Sequence, residues 1–345
     1  MYESLNLPIP VSQAALLLGA LLGVAFGIMA EVTRFCLRRA AVGEAQDRRS
    51  AAGIWATAFA AALIGTQAAV AAGWIGFEGH RFQAAAVPWL AAGLGGALFG
   101  AGMVLTRGCI SRLTVLTASG NLRALTVLVV FAIVAHATLK GFLAPLRTAA
   151  GSVTASIPPE LPLVAGGLLA TGAIVFAFWS GARRSHLALA VLIGLLVPLG
   201  WVGTGFVLFD EFDPIALESL STTSPLTETL FWLIAGTSVT AGFGTGLIGG
   251  ILVGALGSSL IGRRFAWASF DSPRQTGRYL TGAVLMGFGG VLAGGCTLGA
   301  GLSGVATLST AALIALLSIL AGAWTTDRVL TARPGAVRPS LVPAE

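Results

Sequence analysis

The chain is 345 residues long, 56% apolar and only 10% charged, with 20 Lys and Arg against 14 Asp and Glu. Soluble domains carry about 25% charged residues, so this chain, with a mean hydropathy of +0.89, cannot cover itself in water. That excludes a cytosolic enzyme and a disordered chain. Three widely spaced cysteines exclude a disulfide scaffold, and the net charge of +6 belongs to cytoplasmic loops rather than to nucleic-acid binding. What remains is an all-α polytopic membrane protein.

The opening Met-Tyr-Glu-Ser-Leu-Asn lacks a basic region, so the first apolar stretch is expected to be a retained helix rather than a cleaved signal. A helix crosses the ~30 Å hydrocarbon core with about 20 residues. On that rule nine spans are expected, at residues 12–33, 52–74, 87–106, 121–140, 161–180, 186–209, 228–261, 279–294 and 309–326. The seventh is too long for one straight crossing and carries a break at Thr240-Ala241-Gly242. Ile110–Ala118 and Thr297–Thr307 are too short to cross, and each follows a glycine-rich turn. Such segments are expected as discontinuous helices packed inside the protein. The whole chain, 1–345, reads as one transport domain with halves at about 12–160 and 161–326 and a flexible cytoplasmic tail at 327–345.

Orientation follows from the basic residues. With the N-terminus outside, 17 of the 20 face the cytoplasm, and only Arg81, Lys140 and Arg147 fall outside. With Arg107 and Arg112 set aside as buried, the bias is still 15 to 3. The expected topology is therefore a periplasmic N-terminus and a cytoplasmic C-terminus in a bacterial inner membrane.

The chain also repeats itself. Gly100-Ala-Gly-Met-Val-Leu-Thr-Arg-Gly-Cys109 aligns with Gly287-Phe-Gly-Gly-Val-Leu-Ala-Gly-Gly-Cys296 at an offset of 187, with six of ten positions identical. The two motifs are entered from opposite sides of the membrane, which predicts an inverted repeat and a pseudo-two-fold. Glycines at every fourth position, Gly19, Gly23 and Gly27, then Gly242, Gly246, Gly250 and Gly254, predict close helix packing.

The cysteines carry the chemical signal. Cys36, Cys109 and Cys296 all lie at element ends, in Thr33-Arg34-Phe35-Cys36, Thr106-Arg107-Gly108-Cys109 and Gly294-Gly295-Cys296-Thr297. A lone apolar cysteine is ordinarily a small buried hydrophobe. Here two of them hold matching repeat positions before short apolar helices, beside unpaired N–H groups that attract anions. Gly108 and Gly295 let backbone approach a passing ligand. Arg107 and Arg112 flank Cys109 and supply positive charge, with cytoplasmic anchoring as the alternative role for each. Glu31 is spaced for a helix-surface ion pair with Arg34. His136 and Lys140 lie one turn apart on the fourth span, where ionisable groups are functional candidates by default. The histidines are too scattered to form a metal site with the thiols, no cofactor motif is present, and no ATP-hydrolysing motif occurs.

At these residues the sequence resembles the YeeE/YedE family of bacterial inner-membrane proteins, which transport thiosulfate and related sulfur compounds. The resemblance runs from about residue 15 to 325. It is strongest at Thr33–Cys36, at Gly102–Cys109 with Gly120-Asn-Leu-Arg123, and at Ala293-Gly-Gly-Cys296-Thr-Leu-Gly. It implies an hourglass-like helical fold and a conduit in which Cys36, Cys109 and Cys296 contact the ion. Some relatives carry a histidine where this chain has Ala300. Some work with, or are fused to, a small TusA-like sulfur carrier, which for this chain would be a separate cytoplasmic partner. The expectation is a non-enzymatic importer of a small sulfur anion, thiosulfate first, along a pathway of Cys36, Cys109, Cys296, Arg107, Arg112, Gly108, Gly295 and Thr297. The alternative is a membrane thiol or sulfane-sulfur transferase using the same cysteines, against which stand the lack of a Cys-x-x-Cys pair and of an adjacent base.

Overall fold

The computed structural model describes residues 9–332 except 85 and 212. Thirteen α-helices account for most of these residues. The first half holds α1 (Val11–Thr33), α2 (Leu37–Val42), α3 (Ala45–Ala71), α4 (Trp89–Leu105), α5 (Ile110–Ala118) and α6 (Leu122–Lys140). After α7 (Ala144–Gly151) and α8 (Leu163–Trp179) come α9 (Arg184–Val202), α10 (Thr223–Ala235), α11 (Phe243–Ile261), α12 (Pro273–Leu292) and α13 (Thr310–Thr331). Two π-helical turns, Gly203–Val207 and Gly299–Gly304, extend α9 and precede α13.

Among the described residues, seven helical stretches are long and apolar enough to cross a membrane. The nine expected spans are these seven together with α8, which has 17 residues, and α12, whose polar first half carries Arg274 and Arg278. The expected break in the long seventh span is real. It separates α10 from α11, and Gly242 is the residue on which α11 begins. Ile110–Ala118 is a helix as expected, whereas the apolar stretch 297–307 forms a π-helical turn instead of an α-helix. The short helices α2 and α7 were not foreseen. Residues 327–331 continue α13, and 333–345, the rest of the expected tail, lie outside the described residues.

Glycines set the packing. Gly19, Gly23 and Gly27 of α1 lie against the backbone of Phe243, Leu247 and Ile251, in rising order along both helices, so α1 and α11 run parallel at backbone contact. Gly246, Gly250 and Gly254 answer from α11, but Gly242 touches nothing and is only a cap. This close pair is matched by α9 against α3, and α4 against α13 is matched by α12 against α6.

The crossing of α4 and α12 reveals the symmetry. A Cβ on Gly102 would stand 2.5 Å from the Gly282 carbonyl oxygen, and one on Gly289 would stand 2.6 Å from that of Gly95. An offset of 187 converts Gly95 to Gly282 and Gly102 to Gly289. Each glycine therefore meets the repeat-equivalent of the other, as a two-fold requires. The numbers fall on one helix as they rise on the other, so α4 and α12 are antiparallel and the repeat is inverted. Their C-terminal ends, which lead to Cys109 and Cys296, point in opposite directions.

Candidate functional site

All three cysteines are reached through the same turn. The residue two before each cysteine has a positive φ: Arg34 at 54°, Arg107 at 59° and Gly294 at 73°. The next residue's N–H returns to a carbonyl five residues back, Phe35 to Ala30, Gly108 to Met103 and Gly295 to Gly290. This is the Schellman ending, which closes the last turn of a helix and turns the chain away from its axis. Glycine is the natural residue for such a φ; arginine holds it twice here at a conformational cost. The preceding threonines bond back to the fourth carbonyl before them, Thr33 to Met29 and Thr106 to Gly102. The turn thus carries each chain from the end of a long helix into the interior and leaves the cysteine buried.

The structure adds a contact to the repeat-matched pair of Cys109 and Cys296. The Cys36 sulfur lies 3.9 Å from that of Cys109, joining positions 73 residues apart. Cys36 starts α2 and Cys109 starts α5, and Cys109 also meets the Ser111 hydroxyl at 3.2 Å. Cys296 lies at the other end of the antiparallel α4–α12 pair. Its partner is Thr222, whose hydroxyl lies 3.1 Å from the Cys296 sulfur, and the Gly299 N–H donates to that sulfur at 3.4 Å. Thr222 starts α10 as Cys36 starts α2. The two halves therefore offer two unequal contacts, thiol with thiol and hydroxyl with thiol. Thr222 was missed, although adding the repeat offset of 187 to Cys36 lands on Thr223, one residue away.

The remaining expected residues divide between the two ends. Arg112 donates to the Ala30 carbonyl at 3.2 Å and stands within electrostatic reach of Cys36 and Cys109. Arg107 forms the turn before Cys109, in a group of cations with Arg38 and Arg278. Gly108 is buried beside Leu113. At the other end, Gly295 approaches Ala300 so closely that a Cβ would meet its nitrogen at 2.7 Å, and Thr297 is buried next to Cys296. Ala300, at the position where some relatives carry histidine, packs with Ala92, Ala293 and Ala315. Glu31 does not pair with Arg34. It is buried and bonds Arg264 at 2.6 Å and the Ser258 hydroxyl at 3.0 Å, tying α1 to the end of α11. His136 stacks on Phe231 with centroids 4.9 Å apart, and Lys140 faces Glu228 electrostatically.

Chain neighbours of the contact residues, Leu37 at one end and Ser221 at the other, line two cavities. One of about 400 Å³ opens at Leu37, next to Cys36, between Trp55 and Trp324 with Arg48 at its side. The other, about 330 Å³, lies beside Thr222 and Cys296 and is lined by His80, Arg81, Trp201, Glu218, Ser221 and Glu228, among others. In the second cavity, burial and then the nearby Glu228 carboxylate push the Glu218 carboxyl up to about 7. Burial and then Arg81 hold His80 down at about 4, so it is neutral. Its Nδ1 accepts from the Phe82 N–H at 3.3 Å.

Helices that cross a membrane, an inverted repeat and buried polar groups at its centre define a multi-pass membrane protein of the transporter class. The chain belongs to the sulphur transport family, which matches it twice, over residues 32–187 and 175–325, once for each half. It is also similar to the thiosulfate transporter TsuA of Escherichia coli (strain K12). The two are 29% identical over 285 residues, spanning 73% of this chain and 78% of that protein.

Proposed function

We propose that the protein imports a small sulfur-containing anion across the bacterial inner membrane, with thiosulfate as the first substrate, and that it does so without chemical change to the ion. The reading draws on the family, on the thiosulfate transporter named among its relatives, and above all on one observation. The thiols stand in two contacts at opposite ends of the antiparallel α4–α12 pair, and the neighbouring Leu37 and Ser221 line a cavity at each end.

Thiosulfate joins negative charge to a soft terminal sulfur. Thiols are weak S–H donors, so they hold that sulfur without trapping it, and conduction needs binding that is weak enough to release. The Gly299 N–H at Cys296 and the Arg112 guanidinium near the Cys36–Cys109 contact answer the charge. Thr222 and Cys296, then Cys109 and Cys36, touch the ion in turn, and Gly108, Gly295 and Thr297 shape the narrow passage around them. The N-terminus lies in the periplasm, which puts the cavity at Thr222 outside and the cavity at Leu37 inside. A separate TusA-like sulfur carrier would collect the ion in the cytoplasm. Uptake of labelled thiosulfate into liposomes containing only this protein tests the reading. Uptake that saturates and is inhibited by thiol reagents supports it; no uptake of thiosulfate, sulfite or sulfate refutes it.

The membrane potential sets a cost. Inward movement of a dianion against 100 mV, negative inside, costs about 4.6 kcal/mol at ~2.3 kcal/mol per charge. Accumulation therefore needs either rapid consumption of the ion or a coupled cation.

A further inference from the structure

The cavity beside Cys296 has features that anion conduction alone does not explain. A pathway for anions is expected to be lined by donors and cations, yet Glu218 and Glu228 both face this space together with Arg81. The exposed Arg81 guanidinium stands over the Phe82 ring at 5.0 Å. It makes no ion pair with either carboxylate, but its charge is felt by both and by Cys296. Two buried donors are left without partners on the same wall, Trp201 Nε1 and Ser221 Oγ. Trp201 is 2% exposed and Ser221 8%. A buried donor without a partner is costly, and two that line one cavity beside a guanidinium mark a place built for an acceptor-rich guest. The Ser221 hydroxyl also lies where a Cβ on Gly299 would be, at 2.6 Å, so the donor wall continues directly to Cys296.

Resting on the transport reading above, we propose that this cavity loads the sulfur oxyanion together with protons, taken up by Glu218 and Glu228 as the anion replaces them in the field of Arg81. While both carboxylates are charged they offset the guanidinium and repel a dianion. Once protonated they repel nothing, and Arg81, Trp201 Nε1 and Ser221 Oγ turn to the guest. The net step is one sulfur dianion and one or two protons moving from outside to inside, with no bond made or broken in the ion. Two protons make the step electroneutral, which removes the cost of the membrane potential.

The groups facing this centre come from several elements: His80 and Arg81 from the 3-10 turn segment, Glu218 from the loop after α9, Glu228 from α10, and Lys140 from α6. His80, held at about 4, stays neutral through the working range. Glu218, raised to about 7, changes charge there, being protonated below that value and charged above it, and the facing Glu228 carboxylate helps to hold it at that value. Lowering the outer pH from 8 toward 6 therefore favours loading.

The test uses liposomes containing the whole protein, a pH-sensitive dye inside and the potential clamped with potassium and valinomycin. Adding thiosulfate to wild-type vesicles should acidify the interior, and an acid-outside gradient should raise uptake several-fold. Glu218→Gln and Glu228→Gln should abolish the acidification, and Glu218→Asp, which keeps a carboxyl group, should retain part of it. Uptake that proceeds at one rate with and without the gradient, and with no acidification, overturns the proposal and leaves the transport reading intact. Full acidification in both glutamine variants removes the proton site from this cavity. Absence of uptake under every gradient overturns the transport reading and this proposal together.

Discussion

Replacing Thr222 by valine isolates one contact. Valine has nearly the shape of threonine and lacks the hydroxyl. Thr222 is fully buried, and its hydroxyl has the Cys296 sulfur, 3.1 Å away, as its contact. The substitution leaves Cys296 with the Gly299 N–H alone. If the hydroxyl turns from the sulfur to the ion, one such bond is worth about 1 kcal/mol net, which is about five-fold in an apparent affinity. Thr222→Val should therefore raise the KM for thiosulfate uptake about five-fold in liposomes, while the lost internal bond lowers the melting temperature in detergent by only about 2–4 °C. Thr222→Cys, which copies the thiol contact of the other half, should lie nearer wild type. A double-mutant cycle with Cys296→Ala sharpens the result. If the two side chains act on the ion together, their effects should miss additivity by about 0.5 kcal/mol or more, as contacting residues do. Additive effects, or a Thr222→Val protein with unchanged KM, would refute the view that the hydroxyl and the thiol form one contact for the ion.

Three further outcomes follow from the packing. A methyl group on Gly289 would meet the Gly95 oxygen at 2.6 Å and the Phe99 nitrogen at 2.7 Å, both backbone atoms; overpacking of this kind costs about 1–3 kcal/mol, so Gly289→Ala should lower the melting temperature in detergent. Gly172→Ala, which meets nothing within 4 Å, is the control and should not. Glu31→Ala removes one partner of an ion pair whose side chains are 8% and 33% exposed. The solvent access of Arg264 brings the loss below the ~3–5 kcal/mol of a fully buried pair, to about 1–3 kcal/mol, and an equal melting temperature in Glu31→Ala and wild type would contradict the assigned role. Finally, the Cys36 and Cys109 sulfurs, 3.9 Å apart, must close by about 2 Å to reach the disulfide length of ~2.05 Å. A mild oxidant, taking two electrons and two protons from the pair, should block uptake reversibly, and Cys36→Ser should be insensitive. A cross-link proven by mass spectrometry with uptake intact would remove this pair from the pathway.

The helices, the break at Gly242 and the inverted repeat could all be read in the sequence because each is written in neighbouring residues. Apolar length marks a span, and glycines four apart mark a packing face. The contacts of the site obey a different rule. Cys36 meets Cys109, and Thr222 meets Cys296, across 73 and 74 residues. Glu31 finds Arg264 rather than the helical neighbour its spacing suggested. The cavity with Arg81 and Glu218 is built from segments between the long helices, where no periodicity reports which side chains converge. Only the repeat links these positions, and it does so through geometry. The two-fold that relates Gly95 to Gly282 and Gly102 to Gly289, and so sets Gly95 against Gly289 and Gly102 against Gly282, also requires that whatever stands opposite Cys109 have a counterpart opposite Cys296. Backbone approach leaves the glycines no freedom to change, whereas a side chain at the start of a short helix is free to vary. That is why the halves keep one backbone but differ in chemistry, a thiol at Cys36 and a hydroxyl at Thr222. On the proposed path, an ion entering from the cavity at Thr222 would meet a hydroxyl–thiol contact first and a thiol–thiol contact second, an asymmetric path in a symmetric frame.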